Sequence, residues 1–99
     1  MNWYVIVFDR LPDGQYRAFH DEFVGHSRIK RWWHYIKSSY IVGTDLSADA
    51  VSDHFRTTAI KYTLPPRHLV MKVDLSVRQG WLPAEAWEWI RKNAIEQAD

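Results

Sequence analysis

Apolar and polar residues alternate in blocks along this chain, and the spacing inside each block sets the predicted element. Trp3 to Phe8 (WYVIVF) is an unbroken run of aromatic and β-branched residues. Its length and composition predict a buried strand. Asp9 ends the run, and Pro12-Asp13-Gly14 is a turn signal. From Gln15 to about Ser27, Tyr16, Phe19 and Phe23 recur at helical spacing against Arg17, Asp21 and Glu22. That pattern predicts a short helix stopped near Gly25. Ile29 to Asp45 then reads as two strands folded back on each other, with Ser38 and Ser39 at or near the turn. Strict alternation is missing. One face would carry Ile29, Arg31, Trp33, Tyr35 and Lys37, and the other Lys30, Trp32, His34 and Ile36. Tryptophan on both faces predicts an interior strand of a sheet.

Asp45-Leu46-Ser47 opens a second helix, with Ser47 as N-cap and Asp49 in the first turn. Ala48, Val51, Phe55 and Ile60 supply its apolar face, and it reaches Thr58 to Lys61. Pro65-Pro66 blocks continuation. His68 to Leu75 sets Leu69, Met71 and Val73 against Val70, Lys72 and Asp74, as a strand at a sheet edge would. Ser76 to Gly80 is a loop or a short extra strand. Pro83 suits the first turn of a third helix, from Ala84 to about Ala94. Trp87, Ile90 and Ala94 share one side of it, with Trp89 nearby.

The order β-α-β-β-α-β plus a C-terminal helix predicts an α+β, ferredoxin-like sandwich on an antiparallel sheet. Residues 1–99 form one such domain, with a core over 3–75 and a C-terminal extension over 76–99. Both early helices would cover one sheet face. The other face, roughly 330 Å² for four short strands, needs cover from a second copy, the C-terminal helix or a ligand.

Composition narrows the chemistry. Of 99 residues none is cysteine, so disulfides, thiolate metal sites and cysteine nucleophiles are excluded. A net charge of +1 does not demand a nucleic-acid partner, although local clusters can hold a phosphate. No apolar run approaches a membrane span and no signal-peptide pattern opens the chain, so the expected location is cytoplasmic, without membrane contact. Six tryptophans are many for this length, and filling a small core is their simplest use. For Trp81, Trp87 and Trp89 the alternatives are a docking surface or packing of the last helix.

Tyr4-Val5-Ile6-Val7-Phe8-Asp9, Trp32-Trp33-His34-Tyr35, Ser39-Tyr40-Ile41-Val42, Thr44-Asp45 and Ser47-Ala48 together resemble the SinR-like small bacterial proteins. These are similar in turn to the CRISPR-associated small endonuclease-like proteins (the second adaptation protein) and to the VapD and GhoS toxin–antitoxin proteins. The resemblance spans roughly residues 3 to 75. It implies a ferredoxin-like fold, a homodimer and, in some relatives, metal-dependent cleavage of RNA or DNA. Asp9 matches the acid after the first strand, and Arg10 the polar residue that follows it.

Three sets of residues are candidates for that chemistry. Asp9, at a strand terminus, would appear twice near the axis of a two-fold dimer, where Mg²⁺ could sit between the carboxylates; alternatively it starts a turn. His34 is a candidate general base, or else a structural histidine among aromatics. Arg10, Arg28, Lys30, Arg31 and Lys37, interleaved with Trp32, Trp33 and Tyr35, are suited to phosphates and unpaired bases, or form a solvated strand end. The expected function is a nucleic-acid-binding homodimer, with weak Mg²⁺-dependent cleavage by Asp9 and His34. The alternative is a non-catalytic interaction module, a toxin–antitoxin component or scaffold with a cognate protein partner.

Overall fold

The computed structural model describes residues 1–98, with side chains through residue 94. The elements follow in the order β1 (Asn2–Phe8), α1 (Arg17–Val24), β2 (Ile29–Trp33), β3 (Ser39–Thr44), α2 (Ala48–Lys61), β4 (His68–Lys72) and α3 (Ala84–Ala98). The strands form one sheet in the order β2-β3-β1-β4, every neighbouring pair antiparallel. This is a small α+β domain of four strands and three helices, compatible with a ferredoxin-like arrangement.

Tyr4, Ile6 and Phe8 of β1 and Tyr40 and Val42 of β3 point to one face. There they bury Phe19 and Phe23 of α1 and Val51, Phe55 and Ala59 of α2. Ser47 caps α2 as its sequence predicts, its Oγ accepting from the Ala50 amide at 3.2 Å. Ile60 and Ala48 do not join the apolar face. Ile60 is 55% exposed, and Thr58 and Ala59 are buried instead. The buried stripe runs Val51-Phe55-Thr58-Ala59, the i, i+4, i+7, i+8 spacing of one helix face.

β2 lies at an edge of the sheet, not in its interior. A bulge between Ile29 and Arg31 changes its register: Ile29 faces Thr44, Arg31 faces Gly43, Trp32 faces Val42 and Trp33 faces Ile41. The extra residue moves Ile29 to the α1–α2 side, away from Arg31 and Trp33 with which strict alternation would group it. The two tryptophans are therefore served separately. Trp33 is buried under Ala86 and Ile90 of α3, while Trp32 packs beside His20 and stays 42% exposed. The strand ends at Trp33, so Tyr35 and Lys37 belong to the connection to β3.

α3 supplies part of the cover for the second face. Trp3, Leu75 and Ala94 form one buried group there, and Trp33, Ala86 and Ile90 another, bridged by Ile41 and Trp89. Trp3 meets Trp89 edge-on at 5.7 Å between ring centroids. Gly43 makes room for the Trp3 indole, because a Cβ there would lie 2.6 Å from a ring carbon. The cover is incomplete: Val7, Leu69 and Met71 on β1 and β4 stay exposed. β4 is the expected edge strand but stops at Lys72, and Ser76 to Gly80 is loop.

Candidate nucleic-acid interface and histidine–tyrosine cluster

The end of β1, the end of β2 and the start of β3 meet at one end of the sheet. The Phe8 amide donates to the Ser38 carbonyl at 3.1 Å, and an Arg10 guanidinium N–H donates to the Lys37 carbonyl at 3.2 Å. These bonds hold the 34–38 connection against the segment after β1. Arg10 also stacks over Tyr16, 4.0 Å from its centroid. Of the basic candidates, Arg10 and Lys37 therefore come together.

The others spread along β2. Arg28 is engaged at the far end by Asp45, Nε to Oδ1 at 3.1 Å. Thr44 secures the same corner, its hydroxyl donating to the Arg28 carbonyl and accepting from the Leu46 amide. The Thr44-Asp45 pair thus has a structural task, tying the entry of β2 to the exit of β3. Lys30 donates to the Ser27 carbonyl at 3.2 Å. Lys30 and Arg31 nevertheless line a groove of about 530 Å³ along the outer edge of β2, with Trp32, Trp33, His34, Tyr35 and Trp89. Trp32 and Tyr35 are each about two-fifths exposed, so ring faces and cations share this groove.

Asp9 is at the same end of the sheet, but its carboxylate accepts from Arg67 Nε at 2.6 Å. Among the described residues no group of three or more His, Asp or Glu is gathered where it could hold a metal ion. Within one chain these residues do not fit a Mg²⁺ site: one carboxylate, already paired with a guanidinium and followed by Arg10, offers too little negative charge. A shared site would need the second subunit's Asp9.

His34 sits in a cluster that the sequence does not announce. Its Nδ1 lies 2.8 Å from the Ser39 carbonyl, and its ring stacks on Tyr40 at 4.1 Å with 8° between planes. The Tyr40 hydroxyl lies 2.7 Å from Nδ1 of His20 on α1. The two imidazoles stack with centroids 5.7 Å apart, and Trp32 closes the group edge-on to His20 at 4.8 Å. Burial lowers both histidines below their ordinary value, with nearby positive charge adding to the shift. The Arg10 field acts on His34 and Tyr40, and burial pushes the Tyr40 hydroxyl well up. His20 follows the buried Phe19 on α1, a position on the margin of the helix's apolar face. Sequence spacing offers no signal that this margin overlies β2 and β3.

The three remaining histidines bond within the fold, His26 Nδ1 accepting from the Arg28 amide at 3.0 Å. His54 Nε2 contacts the Phe23 carbonyl, and His68 bridges Ser52 and the Pro66 carbonyl. Of the C-terminal tryptophans, Trp87 and Trp89 pack α3 onto the sheet, whereas Trp81 is 99% exposed. Glu88 pairs with Arg91. No described helix is long and apolar enough to cross a membrane. Comparison with family profiles, with curated proteins and with solved structures returned no match.

Proposed function

We propose that this chain is a nucleic-acid-binding protein of ferredoxin-like topology that grips a single strand along the outer edge of β2. The strand order and the resemblance to the SinR-like and CRISPR-associated small endonuclease-like groups support the topology. One observation carries the binding reading: Lys30 and Arg31 share a groove with the exposed rings of Trp32 and Tyr35. Aromatic faces stack unpaired bases with little regard to sequence, and cations beside them hold the phosphates. An edge strand is where a groove of this kind stays open, because no further strand occupies its outer side. With a net charge of only +1, binding depends on this local cluster and should weaken steeply with salt. Fluorescence anisotropy with a labelled single-stranded RNA tests the reading. Trp32→Ala should weaken binding by about 1–3 kcal/mol, the scale of one lost base–aromatic stack. Unchanged affinity in that variant would refute it.

A second reading rests on the exposed apolar strip of Val7, Leu69 and Met71 beside the β4 edge. It supports a homodimer that buries this strip against the same strip of a second copy, a self-complementary contact of the two-fold kind. Light scattering at micromolar concentration should give twice the chain mass, and Met71→Asp should reduce it to one. A monomeric mass for the parent protein would contradict the dimer. A lysate pull-down that instead captures an unrelated protein through the strip would favour a toxin–antitoxin or scaffold role.

A further inference from the structure

We propose that the His20–His34–Tyr40 cluster cleaves single-stranded RNA by acid–base chemistry of its own, without a metal ion. This rests on the nucleic-acid-binding reading above and names its substrate and reaction. The chain presents two imidazoles at the end of the β2 groove, and one of them, His34, also lines that groove. Their roles differ because their partners differ.

A backbone carbonyl can only accept, so the 2.8 Å contact with Ser39 places the neutral His34 proton on Nδ1. Its Nε2 then carries the lone pair, and the carbonyl orients the ring, as a base needs. Burial is the largest influence on both rings and lowers both, so His34 is neutral near pH 7 and the acid role belongs to the fraction of molecules in which His20 is protonated. His20 is held at Nδ1 by the Tyr40 hydroxyl, 2.7 Å away. When His20 is protonated, the Tyr40 oxygen accepts from Nδ1–H and leaves Nε2–H as the acid. Among the described residues, neither Nε2 makes a hydrogen bond. The rings lie 5.7 Å apart and 28° from parallel, so the phosphate would seat against their Nε2 edges, not between their faces, with hydrogen bonds of about 2.6–3.2 Å from each to its two ester oxygens. Arg10, held at the same end of the sheet by the Lys37 carbonyl and the Tyr16 ring, would supply the cation for its non-bridging oxygens. Trp32 and Tyr35 offer faces for the flanking bases.

The reaction balances without a co-reactant. His34 Nε2 takes the proton from a ribose 2′-hydroxyl as its oxygen bonds to phosphorus. The bond from phosphorus to the 5′-oxygen breaks, and that oxygen takes the proton from His20 Nε2. The products are a 2′,3′-cyclic phosphate and a 5′-hydroxyl, and solvent restores both histidines. DNA lacks the attacking hydroxyl, so the groove would bind it uncut.

The full-length protein is incubated in EDTA with an unstructured RNA oligonucleotide and, in parallel, with its 2′-O-methyl counterpart, and products are identified by mass spectrometry. RNA should be cut to cyclic-phosphate ends while the 2′-O-methyl strand is bound and intact. His34→Gln and His20→Ala, checked for folding by circular dichroism, should each slow cleavage about a hundredfold or more. Binding of the 2′-O-methyl strand with RNA left whole in EDTA overturns the chemistry and leaves the binding reading standing. A strict Mg²⁺ requirement, or products ending in 5′-phosphate, also overturns it. Failure to bind either strand sinks both. Should a variant not fold, the product ends and metal independence of the parent protein still decide.

Discussion

Gly43→Ala tests how α3 is seated on the sheet, and its size follows from two distances. The new Cβ would lie 2.6 Å from Cζ3 and 2.8 Å from Cη2 of Trp3, with Met1 Sδ at 3.1 Å. Carbon atoms rest at about 3.5–4.0 Å, so the indole would have to move by roughly 1 Å. It has little room to do so, being 2% exposed and set edge-on against Trp89. Overpacking of this kind costs about 1–3 kcal/mol. Opposing it, replacing glycine reduces unfolded-chain entropy, which favours the variant by about 0.4–1 kcal/mol. Gly43 has no positive φ, so this gain applies in full. Together the two terms leave a net loss of about 0–2.6 kcal/mol, with the steric term the larger at mid-range, in urea titrations followed by circular dichroism. Adding Trp3→Phe removes the outer ring carbons that the Cβ meets. The double variant should therefore lose less stability than the two single losses summed, by about 0.5–3 kcal/mol, the range for directly coupled residues. A Gly43→Ala protein more stable than its parent, or a double-variant cycle with no coupling, would refute the claim that Trp3 is pinned. Because Trp89 also lines the β2 groove, the same substitution should loosen the nucleic-acid binding proposed for it.

Ser47→Ala removes the hydroxyl that accepts from the Ala50 amide, and should lower stability by about 0.5–2 kcal/mol in the same titration; Ser47→Asp should restore most of it. Acidification should destabilise the fold in a defined window. His20, His26 and His34 are all lowered from the ordinary value of 6.5, burial being the largest cause in each. Below that value the unfolded chain binds more protons than the folded one, so stability is whole above pH 6.5 and falls as pH drops towards the depressed folded values. Thermal melts should be level from pH 8 to 7 and decline from 6.5 to 5; a melting temperature that rises on acidification over that range would contradict the assignment.

What the sequence determined by itself are the elements and their kinds. Trp3 to Phe8 could only be a buried strand, Phe19 and Phe23 at helical spacing marked α1, and Ser47 and Pro65-Pro66 bounded α2. These are local matters, settled by side-chain shape, period and breakers within a few residues. The bulge at β2 was not legible, because it depends on which residues of β3 lie opposite, and one extra residue turns every later side chain over. That register put Trp33 under α3 and Trp32 beside His20, and the strand order put both at an edge and not in the interior. The candidate site divided along the same line. Arg10, Lys30, Arg31 and Lys37 stood out as charge beside aromatic rings, and His34 as a lone imidazole. His20 became its neighbour only through tertiary structure: α1 crosses the sheet so that residue 20 of α1, residue 34 of the β2–β3 connection and residue 40 of β3 converge on one hydroxyl and one carbonyl. Periodicity describes which way a side chain points from its own element. Where two elements cross is decided by the packing of both, so the pairing of those imidazoles belongs to the fold.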